Sequence, residues 1–242
     1  MANLRPMRII TSLVLLLFLS TSYAQEDRVD EYNRNLDDLT IPKRGPNKAK
    51  YTHAFLSYGF IIGESIGDSS SIKYGNSSTF SVGFRSKYRL TKFYELGYEI
   101  AYLRTRYLPV QDSLKNLPDG ELHDKEMLAN NALEVLVFNR FKLKNKDHSA
   151  GIFIDIGAYG NWNYRNVHYT KNEDAIPGAG RTVVKNYFLE YMNDYAYGLT
   201  ARIGFNRFAL DFRYRLSDVF DSKAKYGELP NMVIALQLGL HQ

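Results

Sequence analysis

Arg85, Lys87 and Arg89 occupy alternate positions of the stretch "FSVGFRSKYRL", and Glu95 and Glu99 follow one short turn later. In an extended chain alternate residues share a face, so this spacing brings three cations beside two carboxylates on adjacent segments. Glu134, Arg140, Asp155, Arg202, Asp211 and Arg213 continue the theme downstream, with Lys142 and Arg215 in the same phase. The chemistry such a set offers is ion pairing away from water, where removing one partner of a pair costs about 3–5 kcal/mol. A narrow ion path is the second chemistry the same residues could serve.

Other candidate chemistry is thin. Hydrolysis would need a nucleophile, a base and an orienting acid converging at one place. Of the five histidines, His53 and His241 lie near the ends of the patterned region, His148 in a short turn, and only His123 and His168 in long connections, with Ser69 to Ser71 as the nearest loop hydroxyls. No enzyme is expected. "ELHDKE" gathers Glu121, His123, Asp124 and Glu126 but has neither EF-hand spacing nor a tetrahedral set, so it reads as an exposed charged loop, and no metal is expected. "IPGAGRT" has Arg181 where a phosphate loop requires Lys and Ala175 where its first Gly should be, and reads as a turn. No cofactor is expected.

The elements that must position the charges are strands. Strict alternation, apolar against polar or small, runs through eight segments: 52–63, about 77–90, 93–107, 131–143, 150–164, 195–205, 208–218 and 231–242. Several exceed the usual strand of about 5–6 residues and match the roughly 9–11 that cross a bilayer at a tilt. The connections alternate too. "TK", "KNKDHS" and "NR" are short, whereas "ESIGDSSSIKYGN", "LPVQDSLKNLPDGELHDKEML", the segment around "NEDAIPGAGRTVVK" and "VFDSKAKYGELP" are long.

Two facts decide which face turns inward. Gly83, Gly97, Gly157, Gly198, Gly204 and Gly239 accompany the charges, as a narrow lumen that must be filled would require, whereas a solvated face has no use for a residue that weakens strands. The other face carries Leu, Ile, Val, Phe or Tyr at nearly every position of all eight segments, more than one sheet pair usually buries. The expectation is therefore an all-β, eight-stranded antiparallel up-and-down transmembrane barrel with lipid outside and charge inside. A soluble lipocalin-type barrel would reverse the two faces but does not account for the loop alternation.

The N-terminal region fits export. Arg5 and Arg8, the apolar run from Ile9 to Ser20 and the small residues Ser22 and Ala24 read as a signal peptide, residues 1–24. Residues 25–50 have mixed charge and no periodicity and read as a periplasmic linker or arm, leaving 51–242 for the barrel. Loss of Arg5 and Arg8 with no acid lowers the formal charge from +5 to +3, too little for a nucleic-acid partner. The chain has no cysteine, hence no disulfide and no lipid-modified Cys, and its 19 Tyr and 14 Phe against one Trp fall mainly in the alternating segments.

With eight alternating strands and a final strand "MVIALQLGLHQ", the region from about Tyr51 to Gln242 resembles the small outer-membrane barrels of the OmpA-barrel and PorT-like type, the latter common in Bacteroidetes. It departs from that pattern at Gln242, which stands where the family typically ends in an aromatic. The resemblance implies an integral outer-membrane protein with periplasmic termini and extracellular long loops. It implies a structural or interaction role, with outer-membrane lipid and other envelope or secretion-system proteins as partners. A narrow channel or small-ligand binder is the alternative, and a lipid-modifying enzyme a more distant one. Tyr164, Val167, Tyr169, Val183, Val184, Tyr187, Phe188 and Tyr191 flank a Pro-Gly turn, which predicts a hairpin protruding beyond the membrane. Tyr169, Tyr187, Phe188 and Tyr191 are its candidate partner contacts, with packing inside the hairpin as the equal alternative.

Overall fold

A computed structural model describes residues 46–65, 71–146, 149–173, 178, 180–224 and 226–240. The signal peptide at 1–24, residues 25–45 of the arm, Ser69, Ser70, His148, Ala175, Ile176, Pro177, Ala179, His241 and Gln242 lie outside the described residues. The described residues form nine strands: β1 Lys50–Ile62, β2 Ser78–Arg89, β3 Tyr94–Tyr107, β4 Lys125–Lys146, β5 Ser149–Glu173, β6 Arg181–Tyr187, β7 Tyr195–Phe205, β8 Phe208–Arg215 and β9 Met232–Leu240. All pairings are antiparallel, in the order β4-β3-β2-β1-β9-β8-β7-β5, and β4 also pairs with β5, so eight strands close into a ring. The ninth, β6, pairs only with the distal half of β5, outside the ring.

Connections sort by end. β2 joins β3, β4 joins β5, and β7 joins β8 through Asn206–Arg207, at the end where β1 begins and β9 finishes, here the turn end. The long connections meet at the opposite, loop end. Asn206 makes its two-residue turn with φ of 55°, the left-handed conformation a tight hairpin needs and Asn tolerates.

Alternation resolves into two faces. Leu56, Tyr58, Val82, Phe84, Leu96, Val135, Val137, Ile156, Ile203, Phe212 and Leu236 are exposed on the outside, Phe84 by 66%. On the inside, Arg85, Lys87, Glu95, Glu99, Glu134, Asp155, Arg202 and Asp211 are buried. That arrangement excludes the lipocalin reading, whose apolar face would line the cavity.

The protruding hairpin exists and is larger than expected. β4 starts at Lys125 rather than 131 and β5 runs to Glu173 rather than 164, pairing Met127 with Tyr169 and Leu128 with His168. A bulge between Asn131 and Ala132 re-phases β4 against β5 at the edge of the barrel. β6 adds a third strand through Val167 to Tyr187 and Tyr169 to Lys185. Beyond Tyr187 the hairpin ends, because Phe188 takes φ of 57° and turns the chain back toward the barrel.

The loops make an apolar core of their own. Ile72, Leu117, Leu189, Met192, Val219, Phe220 and Leu229 pack with the inward strand ends Ile61, Tyr107 and Leu128. Every long connection contributes, so the cluster seals the loop end of the lumen. Backbone bonds tie the loops together, Lys73 N donating to Leu108 O at 2.7 Å and Asn193 N to Val219 O at 2.9 Å.

Candidate functional site

The ring stacks the inward charges of neighbouring strands, and closure brings distant strands within reach of each other. Arg85 faces Glu99 directly across β2 and β3, and its Nε donates to Glu99 at 2.6 Å while its Nη2 donates to Gln237 of β9. Glu99 also accepts from Arg202 of β7 at 2.8 Å, a bond across the lumen. Arg202 further donates to Asp155 at 3.2 Å and lies 3.7 Å from Asp211. Asp155 receives both arms of Arg140, at 2.7 and 2.8 Å, the bidentate geometry in which a guanidinium holds a carboxylate best. Arg213 joins Asp211 at 2.9 Å to Glu134 at 2.7 Å, and the Thr200 hydroxyl donates to Asp211. Toward the turn end Glu95 sits 2.6 Å from Lys87 and 2.5 Å from Lys142.

Six cations and five carboxylates thus form two clusters, Lys87–Glu95–Lys142 toward the turn end and the other eight groups above it, and every member has an opposite charge. Eight-stranded barrels are just wide enough to be filled by side chains, and here the filling is ionic. Arg89 is the exception among the predicted interior set. It is half exposed at the turn end and donates to the carbonyls of Asn47 at 3.2 Å and Thr91 at 3.3 Å, because β2 leaves the lumen at that residue. Arg215, at the opposite rim, is held by Glu228 at 2.8 Å and by loop carbonyls.

Aromatic rings fill what the charges leave, and alternation counted on one polar face did not reveal them. Phe55, Phe138 and Phe153 point inward and are buried. Phe153 lies opposite Gly204 and Phe138 opposite Gly97. A Cβ on Gly204 would come within 2.0 Å of the Phe153 ring, so the glycine is the space the ring occupies. Arg140 stacks 3.6 Å above the Phe153 ring, and Arg85 and Arg202 lie 5.5 and 5.8 Å from the Phe138 ring centre. A phenylalanine facing a glycine on the paired strand was the sequence signal that could have found this.

The turn end is closed by the last residues of the expected arm. Asn47 is buried, and its side-chain oxygen accepts from Lys142 at 2.8 Å. Residues 46–50 are therefore part of the barrel, because Lys142 and Arg89 need acceptors there. Between Pro46, His53, Asn206 and Gln237 remains a cavity of about 10 Å³, room for about one water.

At the loop end, Asp119, Glu126 and His168 bring ligand atoms within 4.8 Å of one another. The Lys115 ammonium already sits there, 3.1 Å from Asp119 and 2.7 Å from Glu126, while His168 lies 2.8 Å from Glu126. Burial works to raise the Asp119 carboxyl, but the hydrogen bond and charge of Lys115 outweigh it and hold the group below its ordinary value. Of the "ELHDKE" set, Glu121 offers its carbonyl to Lys115, His123 Nδ1 lies 3.1 Å from Asn172, and Asp124 accepts from Glu173 N at 2.6 Å. His123 Nε2 also lies 3.6 Å from Asp119, so Glu121, His123 and Glu126 gather around the Lys115–Asp119 pair and Asp124 alone of the set points elsewhere.

The hairpin's aromatics separate. Tyr169 and Tyr187 line its outward face, and Phe188 is 81% exposed at its edge. Tyr191 is instead half-buried in the loop cap, its ring 6.4 Å from Phe220 and 5.7 Å from Tyr226, because the turn at Phe188 carries it away from the hairpin.

No curated protein matches the chain. A family described as outer membrane protein beta-barrel domain matches residues 22–221, through β8 and into the loop that precedes β9. The closed eight-strand ring, its exposed apolar belt and its ion-paired lumen agree with that match, and the chain belongs to the outer membrane protein beta-barrel domain family.

Proposed function

We propose that this outer-membrane barrel serves as a structural or interaction component of the cell envelope and neither conducts nor catalyses. One observation carries the reading: the lumen is filled by paired charges and sealed at the loop end by the apolar cap, which leaves the outer surface and the β4–β5–β6 hairpin as the parts able to act. The termini and short turns face the periplasm and the long loops face outward, the polarity usual for such barrels. Residues 1–24 act as the export signal. The likeness to PorT-like barrels common in Bacteroidetes supports a place within a secretion or envelope assembly. Phe188, with Tyr187 beside it, offers the partner the most exposed aromatic surface on the hairpin.

The test is photo-crosslinking in cells from a benzoylphenylalanine placed at Phe188, followed by purification of the membrane fraction. A discrete crosslinked envelope protein, lost when the probe is moved to the lipid-facing Val137, supports the interaction role. Reproducible single-channel conductance of the purified wild-type protein in planar bilayers would replace it with the channel reading.

A further inference from the structure

Above the apolar belt, on the outward face of β3 to β6, the barrel carries a groove of about 410 Å³. Met127, Ala129 and Val167 are among its lining residues, and Arg104, Arg165 and Lys185 bring three cations to it with no carboxylate among them. None of the three makes an ion pair among the described residues, in contrast to the fully paired lumen. Tyrosines steady two of them: the Arg165 guanidinium lies 4.7 Å from the Tyr187 ring centre and the Lys185 ammonium 6.0 Å from that of Tyr169.

Register fixes the height of this groove. Arg104 pairs with Asn131, and Asn131 with Arg165, so the two arginines flank one level of the wall. One pleat toward the turn end, Tyr102 pairs with Leu133 and Leu133 with Trp162, a row belonging to the outward apolar belt. Two residues of strand separate the rows by about 7 Å. A molecule that reaches both rows at once is amphipathic, with an anionic group at the upper row and hydrocarbon along the lower.

We propose that this groove binds the phosphorylated head group of an outer-leaflet lipid, with Arg104, Arg165 and Lys185 on the phosphate and the acyl chains descending past Leu133 and Trp162. The assignment rests on the outward orientation of the loop end stated above. Charge complementarity selects an anion, and continuity with the lipid-facing belt selects a lipid over a soluble anion or an acidic peptide.

The experiment uses the full mature chain refolded in zwitterionic micelles, with bis-phosphorylated lipid A, its dephosphorylated form and inorganic phosphate as probes, and native mass spectrometry as readout. The wild-type protein should retain the bis-phosphorylated lipid and discriminate against the dephosphorylated one. The R104Q/R165Q/K185Q variant should retain at least about tenfold less. The K185Q single variant, on a strand outside the ring, keeps the test open should the triple variant fail to show the heat-modifiable migration of a folded barrel; it should lose a measurable part of the binding. Equal retention of both lipids, or no loss in either folded variant, overturns the proposal. Displacement of the lipid by equimolar inorganic phosphate overturns the choice of a lipid. Labelling of Leu114→Cys by an impermeant maleimide on whole cells reports loop orientation separately, so a failed lipid site with a labelled loop condemns this inference alone.

Discussion

Glu99→Gln is the sharpest perturbation of the lumen. The substitution keeps volume and shape but removes the one carboxylate shared by Arg85 at 2.6 Å and Arg202 at 2.8 Å, in a side chain with 0% exposure. Arg85 is left with the neutral oxygen of Gln237, while Arg202 keeps Asp155 at 3.2 Å and a weaker approach to Asp211 at 3.7 Å. Were the pair solvated, its loss would cost at most about 1 kcal/mol. Buried, it should cost about 3–5 kcal/mol. With a urea slope near ~2 kcal/mol/M, the unfolding midpoint should fall by about 1.5–2.5 M. The assay is urea unfolding in phospholipid vesicles, followed by heat-modifiable migration and by fluorescence of the single tryptophan, Trp162, which lies on the outward face. A double-mutant cycle with Arg85→Gln should show the double variant less destabilised than the sum of the singles by about 1–3 kcal/mol. A midpoint shift matching less than about 1 kcal/mol would mean that water fills the lumen and that the charges are not buried pairs.

Gly83→Ala would place a Cβ 2.3 Å from the backbone oxygen of Ile100, so it should destabilise the barrel by about 1–3 kcal/mol in the same urea assay. Val137→Arg, on the outward face of β4, should cost about 2–4 kcal/mol if it lies near the bilayer midplane, and a neutral result would place Val137 outside hydrocarbon. Lys115→Met removes the ammonium between Asp119 and Glu126, so limited proteolysis should cut residues 108–124 faster while the barrel keeps its folded migration. The Asp119 carboxyl is held below its ordinary value, so its contribution to the cap is present above the unfolded value of about 3.9 and is lost as pH falls through the lower folded one. The same proteolysis should therefore accelerate on acidification below about pH 4, and acceleration at higher pH would implicate other groups.

Much of this was legible in the residues. Alternation placed Phe84 outside and Arg85 inside, and the short turn before Tyr94 set Arg85 against Glu99, since hairpin register follows from turn length. What closure decides was not legible. Glu99 meets Arg202 only because the ring brings β3 and β7 to opposite walls of a narrow lumen, a distance that no local pattern encodes. Phe138 and Phe153 broke the binary rule, because an inward ring is allowed where the paired strand supplies Gly97 or Gly204. The loop cap was missed because Ile72, Leu117, Leu189 and Phe220 are scattered apolar residues without a period, and only their convergence makes a core. Arg89 is the last residue of β2 and Tyr191 lies beyond the end of β6, and alternation carries no information about where a strand stops.

A charged interior inside a lipid-facing exterior can be probed residue by residue, because the chain has no cysteine of its own. Leu56 pairs with Val82 on the outward face, and the adjacent Ser57 pairs with Ser81 on the inward face. Single cysteines at these four positions, spin-labelled in reconstituted vesicles, can be read by collision with oxygen, which concentrates in hydrocarbon. Oxygen accessibility should be high at 56 and 82 and low at 57 and 81. The reverse pattern, or no alternation at all, would contradict that arrangement.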